Sequence, residues 1–312
     1  MEVATRPVVV GVDGTGEAMR AARWAGALAV RLDTSLHLVH AMPGVDEALL
    51  AITAPEHVDA GAYPRQLGQA VLDRVANAVH ADFPLLHISR TVSHRSPQAA
   101  LIELSRRARI VVLACSDVSA GEALLVGSTT LAVSAGSACP VIAWRGDTLA
   151  PTDRPVVVGV DEDQISRAAL DTALALADCL GVGLTAVHAM SARRAAGEVD
   201  IPLMVDWDAL RDEAQERLKD IVDPVAQQWP QVRVGYAVGK GKASRVILDH
   251  AGGAQLVVVG SRGRGQLASV LLGSTGLGLL HHSPAPVVLC SESVVDGGSP
   301  RTREHPAHHV NR

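Results

Sequence analysis

The sequence predicts an α/β protein of two tandem doubly wound domains, each on a five-stranded parallel sheet. Three observations carry that expectation. First, the octapeptide RPVVVGVD at Arg6–Asp13 stands again at Arg154–Asp161. The match continues through Ala27-Leu28-Ala29 with Ala175-Leu176-Ala177 and His40-Ala41-Met42 with His188-Ala189-Met190 at an offset of 148, then Gly127-Ser128-Thr129 with Gly273-Ser274-Thr275 at 146. A period near 147 is too long for a solenoid unit and marks duplication of a whole domain. Second, 312 residues are enough for two domains at roughly 100 to 200 residues each, with 48% hydrophobic residues to fill two cores. Third, runs such as Val8-Val9-Val10 and Leu256-Val257-Val258-Val259 are continuously apolar and β-branched, as strands covered on both faces of a parallel sheet must be.

The elements follow in order. Strands are expected near 8–12, 36–40, 86–92, 110–114 and 141–144, and their counterparts near 156–160, 184–188, 232–238, 256–260 and 287–290. Helices fill the intervals. One over 18–30 sets Arg20, Arg23 and Arg31 among small apolar residues. One over 209–222 alternates acids and bases on a solvated face. Ser96-Pro97 reads as an N-cap followed by proline in the first turn. The seam between halves falls in the polar, proline-containing stretch 145–153. The domains are then 1–147 and 148–295, followed by a Pro- and Gly-rich tail, 296–312, expected to be disordered.

Composition narrows the function. A net charge of −5 with one Phe, two Tyr and four Trp leaves neither a basic footprint nor stacking platforms, so nucleic acid is excluded as the expected partner. No apolar stretch reaches the ~18 residues of a membrane span, and nothing at the start reads as a secretion signal. Four cysteines without C-x-x-C spacing suit reduced core thiols. A cytoplasmic location is expected.

In an open parallel sheet, ligands bind beyond the carboxyl ends of the strands. After the fourth strand of the second half stands GSRGRGQLASVLLGST, giving Gly260-x2-Gly263-x9-Gly273-Ser274 with Thr275 next. Glycines let backbone approach an anion, Arg262 and Arg264 add positive charge, and Gly273-Ser274 can open a helix whose first N–H groups face phosphate oxygens. The same residues could also form a loop and a capped helix with no ligand. Position decides for a site: the loop leaves a buried strand and enters a helix on the ligand edge. Gly11-x2-Gly14-x-Gly16 has the wrong spacing for a dinucleotide fingerprint, and no G-x4-G-K-[ST] occurs. His40 and His188 have no partner at a catalytic spacing and are read as structural.

With G-x2-G-x9-G-[ST] after strand four, V-G-V-D closing strand one, a histidine near the end of strand two and the closing strands Pro140-Val141 and Pro286-Val287, the sequence resembles the universal stress protein family over about residues 5–293. Its tandem arrangement is similar to that of actinobacterial members. The resemblance implies an adenine nucleotide α-hydrolase-like fold. It also implies bound ATP, with or without Mg²⁺: phosphates in the glycine loop, ribose near the strand-one Asp, adenine against backbone after strand two. Carried over residue by residue, it points to Asp161, Ala189, Gly260, Gly263, Gly273 and Ser274, with Arg262, Arg264 and Thr275 beside them. In the first half it points to Asp13, Ala41, Gly127 and Ser128, with Thr129 next, but Ala114 and Asp117 replace the two leading glycines. The second half has its own departure, Glu162 and Asp163 where the first has Gly14 and Thr15.

A nucleotide-binding stress regulator or sensor without turnover is the expectation, with the second half as the tighter site. A nucleotide-independent interaction module and a very slow ATP hydrolase are the alternatives; no residue that would orient water stands out. The resemblance also makes the closing strands a pairing edge, so the halves are expected to pack as a pseudo-twofold pair. A homodimer and further protein partners stay open.

Overall fold

The computed structural model describes residues 6–42, 62–115, 127–161, 164–190, 206–261 and 272–291. The first half runs β1 (Val8–Gly11), α1 (Gly16–Arg31), β2 (Leu36–Ala41), α2 (Ala62–Asp82), β3 (Ile88–Ser93), α3 (Pro97–Ser105), β4 (Ile110–Ala114), α4 (Ser128–Gly136) and β5 (Val141–Trp144). The second half repeats it as β6 (Val156–Gly159), α5 (Gln164–Leu180), β7 (Leu184–Met190), α6 (Trp207–Ala226), β8 (Val234–Lys240), α7 (Ala243–Ala251), β9 (Leu256–Gly260), α8 (Ser274–His282) and β10 (Val287–Cys290). The tail 296–312 lies outside the described residues.

The strands form one ten-stranded sheet in the order β3-β2-β1-β4-β5-β10-β9-β6-β7-β8. Pairing is parallel within each half and antiparallel where β5 meets β10, with Val287, Val288 and Leu289 opposite Ala143, Ile142 and Val141. The expected pairing of the closing strands is therefore present, and the order reads the same from either edge. Burial explains which strands lie where. The continuous apolar runs of β1, β4, β9, β5 and β10 occupy the middle, where helices cover both faces. β3, reading Ile-Ser-Arg-Thr-Val-Ser, and the mixed β8 stand at the edges. There the polar side chains can reach water.

Turn and cap chemistry fixes the helices. Thr15 caps α1 by accepting from the Ala18 N–H, and Gly14, at φ +92°, makes the turn before it. Ser96 caps α3 with Pro97 at the first position, as its sequence predicts. Observed boundaries of α6 extend the expected helix by a turn at its end to include Pro224.

One core cluster spans both halves on one sheet face, including Ile142, Trp144, Val288 and Cys290. The four cysteines are free, three of them buried. Burial pushes the Cys139 thiol up to about 11 and the Cys290 thiol up to about 12, so both pack as neutral core thiols.

Hydrogen bonds cross the junction on both faces of the sheet. On the α1 and α5 side, Arg31 donates to the Leu180 carbonyl at 3.2 Å and the Cys179 thiol to the Arg31 carbonyl at 2.9 Å. On the other face, Arg145 donates to the carbonyls of Ser283, at 2.9 Å, and Leu280. Ser291 donates to the Ser137 carbonyl at 3.0 Å. Arg145 is thus a correction to the sequence reading, which placed it at the start of a polar linker: it is only 8% exposed and belongs to the junction.

Trp144 is 1% exposed and fills the space where the two halves share a core. Trp144→Ala is expected to cost about 3 to 5 kcal/mol of folding stability, measured by denaturant unfolding followed by circular dichroism. A cost below about 1 kcal/mol would show that the junction repacks without it.

Candidate functional site

The parallel strands of the second half end at a cleft between β6, β7, α7, β9 and α8. The structure brings Asp161, Ala189, Gly260, Gly273, Ser274 and Thr275 together along its wall. Arg262, Gly263 and Arg264 lie outside the described residues, as do Glu162 and Asp163 and, in the first half, Asp117. The sequence reading missed the apolar wall, formed by Val187, Ala243, Ile247 and Val259. Nothing but the topology brings these four together, so no local motif announced them.

Each wall residue is placed by its element. Asp161 stands two residues after β6, and its N–H donates to Ser166 Oγ in the first turn of α5 at 3.0 Å. Gly159 closes β6 without a side chain because Ile247 sits there: a Cβ would meet Ile247 Cδ1 at 2.6 Å. α7 can therefore lie close against the strand and wall the cleft. The loop after β9 leaves at Ser261 and returns at Gly273, whose N–H donates to the Ser261 carbonyl at 2.9 Å. Gly273 is the N-cap of α8 and supplies no side-chain acceptor. The first N–H groups of α8 and the hydroxyls of Ser274 and Thr275 thus meet at the cleft uncapped, the arrangement that attracts an anion.

His40 and His188 hold the frame, as the sequence predicts. His188 Nδ1 donates to the Val160 carbonyl at 2.9 Å, and His40 Nδ1 to the Val12 carbonyl at 2.6 Å. Each bond ties the end of strand two to the residue after strand one and assigns the ring proton to Nδ1.

The first half places Asp13, Ala41, Gly127, Ser128 and Thr129 on the matching edge but uses several differently. Asp13 Oδ1 accepts from the N–H and the hydroxyl of Thr15, at 2.9 and 2.6 Å. Gln98, on α3, donates to Thr129 Oγ1 at 3.4 Å. The matching residue on α7 is Ser244, too short to take that place, and Thr275 faces the cleft. Behind Ala114, the Cys115 thiol is buried against Arg145, 3.2 Å away. A Gln facing a Ser across the repeat was the sequence signal for this difference.

The fold and cleft define a class: paired α/β domains with an anion-accepting helix N-terminus at the sheet's carboxyl edge. The profile of the Universal stress protein family matches residues 4–145 and 153–291, and the chain belongs to that family. It is 32% identical over 295 residues to a universal stress protein of Mycobacterium tuberculosis, covering 92% of this chain and 97% of that one. A second universal stress protein of that organism is 29% identical over 300 residues, with the same coverage of each. Among solved structures, a universal stress protein from Archaeoglobus fulgidus superposes with a TM-score of 0.67 at 18% identity, over 92% of this chain and 98% of that one; it shares the fold. No helix among the described residues is long and apolar enough to cross a membrane.

The contrast between Gln98 and Ser244 is testable by exchange. Ser244→Gln sets a longer amide side chain against Thr275 at the phosphate end of the cleft, turning that hydroxyl away from the ligand, and is expected to weaken binding of a phosphate-bearing ligand such as ATP roughly tenfold, the worth of one hydrogen bond to a charged group. Calorimetric titration checks it, and unchanged affinity would remove Thr275 from the site.

Proposed function

We propose that the chain binds ATP in the cleft of its second half and serves as a cytoplasmic stress-response regulator or sensor, not as an enzyme with turnover. One observation carries the reading: Asp161, Ala189, Gly260, Gly273, Ser274 and Thr275, taken from the sequence as separate residues, converge on one cleft. The donors and the apolar wall suit the two ends of the ligand. Phosphate oxygens match the uncapped α8 N-terminus and its two hydroxyls. A flat apolar base matches the wall of Val187, Ala243, Ile247 and Val259, and the ribose hydroxyls match the Asp161 carboxylate. Family membership supports the stress-related role.

Mg²⁺ fits the same residues. It takes oxygen ligands, usually one or two carboxylates with phosphate oxygens, and Asp161 is a carboxylate on the cleft wall. When bound with ATP it would offset phosphate charge.

A binder without turnover follows from the commitments of the cleft's titratable groups. The Nδ1 proton of His188 is held by the Val160 carbonyl, so that ring is a strut. Asp161, the one carboxylate on the cleft wall among the described residues, is engaged by the ribose or by Mg²⁺ in this reading, which leaves no second carboxylate there to orient water. The first half supports the alternative reading for itself: with Asp13 tied to Thr15 and Thr129 to Gln98, it suits a partner-facing or structural role better than phosphate.

Heat denaturation of purified protein followed by chromatography is expected to release adenine nucleotide, and titration of the emptied protein to show one dominant site per chain. If Gly263 holds the place in the glycine loop that the family resemblance implies, Gly263→Asp sets a carboxylate against the phosphates. At ~5 Å and an effective dielectric near 20 that repulsion is about 3 kcal/mol, and even half of it lowers affinity roughly tenfold. Asp117→Ala should leave binding intact or improve it. Two equal sites in the natural chain, or undiminished binding by Gly263→Asp, would contradict the assignment.

A further inference from the structure

Two residues in matching positions of the repeat do the same job with different chemistry. The residue after each closing strand crosses the junction and takes hold of the last turn of the other half's glycine-serine helix. Ser291 does so for α4 through the Ser137 carbonyl, at 3.0 Å. Arg145 does so for α8 through the Ser283 carbonyl, at 2.9 Å, and the Leu280 carbonyl. Ser137 and Ser283 are themselves matching residues, each closing its helix and each accepting from the N–H two residues on, at 3.3 and 3.2 Å.

The arginine is the costly solution. It is 8% exposed, and among the described residues it makes no ion pair with a carboxylate, leaves its Nε without a partner, and has the Cys115 thiol as its one side-chain hydrogen-bond partner. Burying an unpaired cation is unfavourable, and the serine on the other side shows that the fold can close this contact without one. Something beyond holding the halves together must distinguish α8 from α4. What distinguishes α8 is that its N-terminus enters the cleft.

We infer that Arg145, from the first half, is a positioning residue for the phosphate end of the second half's nucleotide site. The inference rests on the reading of that cleft given above. α8 spans nine residues, about 14 Å, so it transmits displacement as one body from its last carbonyls to its first N–H groups. Two bonds from one planar guanidinium to carbonyls three residues apart fix both the slide and the rotation of the helix, which one hydroxyl cannot. The positive charge also lies at the negative end of the helix dipole. Phosphate binding depends on where the first-turn N–H groups stand, and that position is set from the far end, across the junction.

The test separates the two ends of the ligand. Arg145→Ser gives the second half the latch the first already has, Arg145→Lys keeps the charge with fewer donors, and Arg145→Gln covers the case in which the serine variant fails to fold. ATP affinity is measured by calorimetry and adenosine affinity by ligand-observed NMR titration, with a thermal melt for each protein. Arg145→Ser, or Arg145→Gln in its place, is expected to lose roughly tenfold in ATP affinity while adenosine binds as before, and Arg145→Lys to recover part of the loss. Equal losses for ATP and adenosine, or a lowered melting temperature with both affinities kept, would make Arg145 merely structural and overturn the inference while leaving the site intact. Failure of the natural chain to bind ATP would overturn the reading of the cleft and this inference with it.

Discussion

The antiparallel pairing of β5 with β10 is the constraint on which the rest of this molecule depends. A parallel five-stranded sheet that ends on a fully buried strand cannot stand alone, since that strand would present unpaired backbone groups and an apolar face to water. Two copies joined edge to edge remove the liability, and the tandem chain keeps them together without any concentration dependence. The less buried, partly polar β3 and β8 are left outside, where water can pair their free edges. The same junction places Arg145 and Ser291 within reach of helices belonging to the opposite half.

Duplication supplied two sites, and side-chain differences have made them unequal. The frame is held identically, with His40 and His188 bracing the same carbonyl in each half. What differs is what stands at the anion-accepting helix. In the first half Gln98 engages Thr129, Asp13 closes on Thr15, and Cys115 packs against a cation turned toward the neighbouring half. In the second, Ser244 leaves Thr275 to the cleft; both helices begin at a glycine without a side-chain cap. In the proposed reading, ligand capacity concentrates in the second half, while the first reaches across the junction through Arg145.

Much of this was legible in the sequence because its signals are local. Ile110–Ala114, Val141–Trp144, Leu256–Gly260 and Val287–Cys290 fall where their apolar runs put them. β3 is displaced from the expected 86–92 to Ile88–Ser93: Leu86 is buried in the turn, and the strand begins where Ile88 pairs with Leu36. The site residues after strands one, two and four were readable because glycines, an aspartate and a Gly-Ser pair recur at fixed spacing. Arg145 was not. A polar residue beside a proline-containing stretch reads as linker, and only the packing of the far half, some 135 residues on, turns it into a buried latch. The apolar wall of the cleft was invisible for the same reason, since Val187, Ala243, Ile247 and Val259 come from three elements, β7, α7 and β9, far apart in the chain.

A single measurement bears most directly on the unequal use of the two halves: photolabelling of the full chain with an azido-adenine analogue of ATP, followed by peptide mapping. The account predicts label on the second half around the end of β7, near Val187 and Ala189, suppressed by excess ATP. Label of equal or greater extent around the end of β2, near Ala41, would contradict it.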